Sequence, residues 1–98
     1  MHAMVGRFVL GPGSAETAAQ LAEQLVPMLK SMKGFQRATF FGDAENGEYM
    51  GVSLWETQED AEAAFARTEL PFRNHIAKIA TEPPVRKVCD VWQDFTAE

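Results

Sequence analysis

Among side chains able to do acid–base chemistry in an apolar setting, His75 stands out, because it follows Phe72 by three residues and precedes Ile79 by four. That spacing puts it on the flank of the inward-facing stripe of a helical segment. A histidine so placed can take a proton from a phenolic substrate or ligate iron. In a purely structural role it would instead bond a backbone carbonyl at the edge of a pocket. Phe8, Phe40, Phe65 and Phe72 are the aromatic candidates to surround it. Such a lining holds a planar substrate and excludes water, although the same rings would serve equally to fill a core. Cys89 is the only cysteine, so neither an intramolecular disulfide nor a multi-cysteine metal cluster is expected. It lies in a strand-like segment, where a buried, inert thiol is the simpler reading. No metal-ligand spacing or nucleophile elbow occurs, and Gly11-Pro12-Gly13 is too short for a phosphate loop and lacks its lysine.

Composition narrows the partners. At 98 residues, 46% of them hydrophobic, the chain reads as one globular domain spanning 1–98. A net charge of −5 argues against nucleic acid, which needs a basic face. Arg86 and Lys87 are adjacent, but a pair is not a patch. Glu56, Glu59, Asp60 and Glu62 read as the solvated start of a helix. The opening residues MHAMVGRFVLGPG lack the apolar run of a signal peptide, and no segment is long enough for a bilayer. A cytoplasmic protein with no membrane partner is therefore expected.

The elements that must position these residues follow from local chemistry. A strand is expected over Met4–Leu10, closed by the Gly11-Pro12-Gly13 breaker. Ser14 can cap a helix whose stripe is Ala18, Leu21, Leu25, Met28 and Met32, with a kink near Gln24 caused by Pro27, and Gly34 as its terminator. Two further strands, Phe35–Phe41 and Tyr49–Trp55, are joined through Gly42-Asp43 and Asn46-Gly47. Thr57 then caps a second helix, with Asp60 in capping-box spacing. The chain is expected to break at Leu70-Pro71 and resume with Phe72, Ile76 and Ile79 inward, and Val85–Phe95 to form the last strand. The order β-α-β-β-α-β is the ferredoxin-like α+β plan, a four-stranded antiparallel sheet with helices on one face.

Alternation within the strands assigns the two sheet faces. Met4, Phe8, Leu10, Ala38, Phe40, Met50, Val52 and Leu54 are expected under the helices. The other face would carry Val5, Val9, Phe35, Phe41, Tyr49 and Trp55 among Arg7, Arg37, Thr39 and Ser53. So many aromatics on an uncovered sheet imply a partner, and a homodimer joined sheet to sheet is the expected answer. Tyr49, Trp55, Phe41 and Arg37 are its expected interface residues, with Trp55 the anchor. The last strand is apolar on both faces around Trp92, as if its end reached the partner subunit.

These features together resemble the antibiotic biosynthesis monooxygenase (ABM) domain of the dimeric α+β-barrel superfamily. The resemblance rests on the element order, Pro27 late in the first helix, the Gly34-Phe35 entry and the junction Leu54-Trp55-Glu56-Thr57 with Glu59-Asp60-Ala61. It covers about Met4 to Phe95. It implies a pocket between helices and sheet, and an activity among cofactor-independent oxygenases of polyketide anthrones, quinol oxygenases, heme-degrading oxygenases and an isomerase. The heme-degrading branch carries an Asn, a Trp and a His that fall here on Gly6, Phe65 and His75. The branch with a histidine after the helix break has Phe72 in that place. The expected activity is thus a cofactor-free monooxygenase of a small aromatic or polyketide-like ligand, with His75 catalytic and Gly6, Phe8, Phe40, Phe65 and Phe72 around the pocket. Heme binding through His75 and a non-catalytic dimeric binding module are the alternatives.

Overall fold

The computed structural model describes residues 1–97. Its elements are β1 (His2–Val9), α1 (Ala15–Lys30), β2 (Phe35–Asp43), β3 (Glu48–Trp55), α2 (Gln58–Ile76) and β4 (Val85–Asp90). The strands form one antiparallel sheet in the order β2-β3-β1-β4. The ferredoxin-like plan is therefore the fold.

Local signals set most of the boundaries. The Thr57 hydroxyl accepts the Asp60 backbone N–H at 3.1 Å and so caps α2. Ser14 precedes α1 without a side-chain cap bond, since its hydroxyl donates to the Gly11 carbonyl at 2.6 Å. In the β2–β3 turn the Asp43 carboxylate accepts the Glu45 N–H at 3.0 Å and the Asn46 side-chain amide at 2.9 Å. Gly47 closes this turn at φ 71°, and neither Gly42 nor Asn46 adopts the left-handed conformation. Gly42 is needed for a different reason: a Cβ there would run into the Glu48 carbonyl and the Tyr49 backbone.

Two expected boundaries move. The helix does not break at Leu70-Pro71, because α2 continues through Pro71 to Ile76. A proline inside a helix forfeits one backbone bond, which here would have gone to Arg67, and need not end it. The last strand stops at Asp90 rather than running to Phe95, because its ladder partner ends there. His2 pairs with Asp90, and the final bond joins Val91 N–H to the Met1 carbonyl.

The larger correction concerns β3. In the β1–β3 and β2–β3 registers, even residues of β1 and β2 sit opposite odd residues of β3: Met4 with Ser53, Phe8 with Tyr49, Ala38 with Ser53, Phe40 with Gly51. Tyr49, Ser53 and Trp55 therefore face the helices, and Met50, Val52 and Leu54 face away. Trp55 is not an interface residue: it is 0% exposed, at the centre of a core with Met4, Leu29, Ala61 and Ala64. Its indole N–H donates to the buried Ser53 hydroxyl at 2.9 Å, as a buried tryptophan requires. A register shift between Phe35 and Arg37 turns Phe35 inward as well, edge-on to Trp55 at 5.4 Å. Phe41 and Arg37 do lie on the uncovered face, which they share with Val5, Val52, Leu54 and Cys89.

Candidate functional site

Along the helix-covered side of the sheet, packing is dense at one end and hollow at the other. From Met4 through Ser53 to Trp55 the sheet is covered by Leu29, Ala61 and Ala64. At the Phe8–Tyr49 end several of the side chains that α1 presents are alanines, too small to fill the space above the strands. Ala15, Ala18, Ala19 and Ala22 form one wall of a cavity of about 380 Å³. Leu25 and Met28 close it toward the core, Phe8, Phe40 and Tyr49 form its floor, and Pro71, Phe72, His75 and Ile76 of α2 form the opposite wall. A cavity of this size with mostly apolar walls suits a small ring system.

Its aromatic surfaces are held in fixed relation. Phe8 meets Tyr49 at 5.9 Å between centroids and Phe72 edge-on at 5.8 Å. The Tyr49 hydroxyl lies 3.4 Å from that of Ser14, which puts a pair of hydroxyls at the cavity's sheet side. On the far wall, His75 Nδ1 lies 3.1 Å from the Pro71 carbonyl oxygen. A carbonyl can only accept, so Nδ1 carries the hydrogen, and Nε2 takes no part in this bond. The carbonyl bond expected of a structural histidine is thus present, and it leaves the other nitrogen available.

Behind Phe72 sits a group that the sequence did not mark. Arg86 projects from β4 opposite Gly6 of β1, and a Cβ at Gly6 would lie in ordinary contact with the arginine stem. Its guanidinium lies 4.5 Å from the Phe65 ring centre and 4.8 Å from that of Phe72. It donates to the buried Thr68 hydroxyl at 2.6 Å, while Nη1 is buried without a partner. Burial pulls Arg86 below the ordinary arginine range, against the opposing pull of the Glu69 carboxylate. The sequence signal was the alternation of β4, which turns Arg86 inward beside Val88 and Lys87 outward.

The structure thus brings Phe8, Phe40, Phe72 and His75 together around one cavity. Gly6 and Phe65 lie outside its lining, against Arg86. Tyr49, expected at an interface, contributes to the floor. Phe41 reaches the cavity rim from the edge strand β2. Among the described residues no group of three or more His, Cys, Asp or Glu is arranged to hold a metal ion. No described helix is long and apolar enough to cross a membrane.

Comparison with known proteins bears on this arrangement. No curated protein matches the sequence. Solved structures do match in fold. A monooxygenase, ActVA-Orf6 of Streptomyces coelicolor, in complex with nanaomycin D, is similar with a TM-score of 0.78 at 16% identity, over 99% of this chain and 92% of that one. Rv0793 of Mycobacterium tuberculosis has a TM-score of 0.77 at 14% identity, covering 97% and 98% of the two chains. SnoaB, a cofactor-independent oxygenase from Streptomyces nogalater, has a TM-score of 0.73 at 19% identity, covering 95% and 94%. At these identities the likeness is one of fold. The family model for antibiotic biosynthesis monooxygenase matches residues 1–70, most of the sheet and nearly all of the cavity floor, and the chain belongs to that family.

Proposed function

We propose that the protein is a cofactor-independent monooxygenase of a small aromatic, polyketide-like substrate bound between the helices and the sheet. The observation that carries this reading is the aromatic-floored cavity with one histidine nitrogen left free at its wall. The protein's part in such chemistry is small. His75 Nε2 accepts a proton from the activated CH₂ of an anthrone-type ring, the Tyr49 hydroxyl donates to the ring oxygen that gains charge, and the phenylalanines exclude water. The substrate carbanion then reduces O₂ and bonds to it, giving a hydroperoxide. The proton on His75 completes that hydroperoxide, the freed Nε2 then removes the second C–H proton as the O–O bond breaks, and the departing hydroxide takes that proton from His75 as water. One CH₂ and one O₂ thus become one carbonyl and one water. Arg86, behind Phe72, adds positive potential on the side of the cavity where the anion forms. Oxygen uptake with a panel of anthrones and quinols tests the reading. Uptake accelerated by the protein and lost in His75→Ala is expected; a rate equal to the protein-free background would overturn it and leave a non-catalytic binding module as the better account.

The free His75 nitrogen also supports a second reading, heme ligation without efficient turnover. A hemin titration distinguishes it, through a Soret shift that is present in the native protein and absent in His75→Ala.

The uncovered sheet face supports a homodimer. It presents Val5, Val52 and Leu54, and beside it the segment after β4 exposes Trp92 and Phe95 at 84% and 82%. A sheet carrying that much apolar surface calls for a partner, and its interface residues would be Phe41 and Arg37 with Trp92. Light scattering at micromolar concentration should give twice the monomer mass, and Trp92→Ser with Phe95→Ser should shift the protein to monomer. A native protein of monomer mass would refute the dimer.

A further inference from the structure

Phe8, Tyr49 and Phe72 hold one another ring to ring on one side of the cavity. Phe40 is held in another way. It lies on the edge strand β2 directly opposite Gly51 of β3, and its ring reclines over the place where that residue would carry a side chain. A Cβ at Gly51 would come within 2.9 Å of the ring's Cδ1 and 3.1 Å of its Cε1, closer than two carbons settle without one giving way. The backbone does not ask for a glycine there, because Gly51 lacks the positive φ found at Gly11, Gly13, Gly34 and Gly47. A glycine inside a strand is otherwise a loss, since it orders a flexible residue and packs nothing. Gly6, its neighbour on β1, makes the contrast: a Cβ there would meet its nearest atom at an ordinary 3.7 Å.

We propose that Gly51 is a specificity-determining residue of the cavity and acts through Phe40. By carrying no side chain it lets the Phe40 ring lie down against β3, and so sets how large a ring system the cavity admits. Gly51 does not itself line the cavity; Phe40 does. Strand side chains stand roughly perpendicular to the sheet, so a methyl at position 51 pushes the near edge of the ring upward, into the space beneath the α1 alanines. Movement past the sheet edge instead would give an apolar ring, now 39% exposed, wholly to water. The lowered ring therefore matters most to a three-ring system of the anthrone type and least to a two-ring one. This inference rests on the cavity being the binding site.

The test titrates 9-anthracenemethanol and 1-naphthalenemethanol calorimetrically into the native protein, Gly51→Ala, Phe40→Ala and the double variant. In Gly51→Ala the anthracene alcohol should bind roughly tenfold more weakly, the low end for one methylene of space in an apolar pocket, while the naphthalene alcohol keeps its affinity. With Phe40→Ala as the background, adding Gly51→Ala should no longer change either affinity, because there is no ring to lift. Phe40→Ala alone, which adds no atom to the sheet, should raise the affinity for the four-ring 1-pyrenemethanol relative to the anthracene alcohol. That measurement keeps the proposal open to refutation even if Gly51→Ala does not fold. Three results would overturn the role of Gly51 and leave the cavity reading intact: a preference between the two alcohols unmoved by Gly51→Ala, a loss that persists without Phe40, or no gain for pyrene in Phe40→Ala. Failure of both alcohols to bind the native protein would remove the cavity reading and this one with it.

Discussion

The two ends of the helix-covered sheet surface are made from the same strands yet do opposite things. At the Trp55 end, Leu29, Ala61 and Ala64 close on the indole and leave no space. At the Phe8–Tyr49 end, four alanines of α1 are too small to fill the space above the sheet, and about 380 Å³ stays open. The contrast lies within single elements: α1 contributes Leu29 to the core and Ala18 and Ala22 to the cavity, and β3 contributes Trp55 and Tyr49 in turn. Stability and ligand space are thereby separated along the strand direction, and the cavity is bought by tight packing elsewhere rather than by a loose fold.

Substitutions at the two ends should therefore fail differently. The largest effect is expected from Trp55→Ala, which empties the core centre and leaves Ser53 without its indole donor; a loss of about 3–5 kcal/mol should appear in denaturant unfolding. Next comes His75→Ala, on the exposed rim of the cavity. It should lower oxygen uptake by roughly 10²–10⁴-fold while changing stability by no more than about 0.5 kcal/mol. A comparable stability loss at both positions would erase the distinction between the ends. The smallest effect is that of Thr57→Ala. It removes the cap of α2 at the packed end and should cost about 1 kcal/mol with turnover per folded molecule unchanged.

Much of this arrangement was legible in the sequence because breakers and caps are local. Gly11-Pro12-Gly13 and Thr57 mark the element ends they were expected to mark, whereas α1 ends already at Lys30 and Gly34, at φ 82°, leads into β2; the β-α-β-β-α-β order follows from these signals. The register of β3 was not legible. Both of its faces carry large apolar residues, Tyr49 and Trp55 on one and Met50, Val52 and Leu54 on the other, so alternation alone could not choose between them. That choice moved Trp55 from an interface to the core and Tyr49 from an interface to the cavity floor. The places of Phe8, Phe72 and His75 around the cavity were legible because helical and strand spacing already put them on inward faces. Arg86 escaped notice because an arginine beside a lysine reads as solvated. Only the pairing of β4 with β1 shows that it lies opposite Gly6 on the helix-covered face.

The claim that the hollow end is an oxygenase site can be tested by plugging it. Ala22→Trp fills the cavity from α1 and leaves His75 and the packed core unsubstituted, and the measurement is oxygen uptake with an anthrone substrate in the native and plugged proteins at equal folded concentration. Accelerated uptake in the native protein that falls to the protein-free rate in Ala22→Trp, with the melting temperature preserved, is the predicted result. Uptake that is equal in the two proteins, or absent from both, would contradict it.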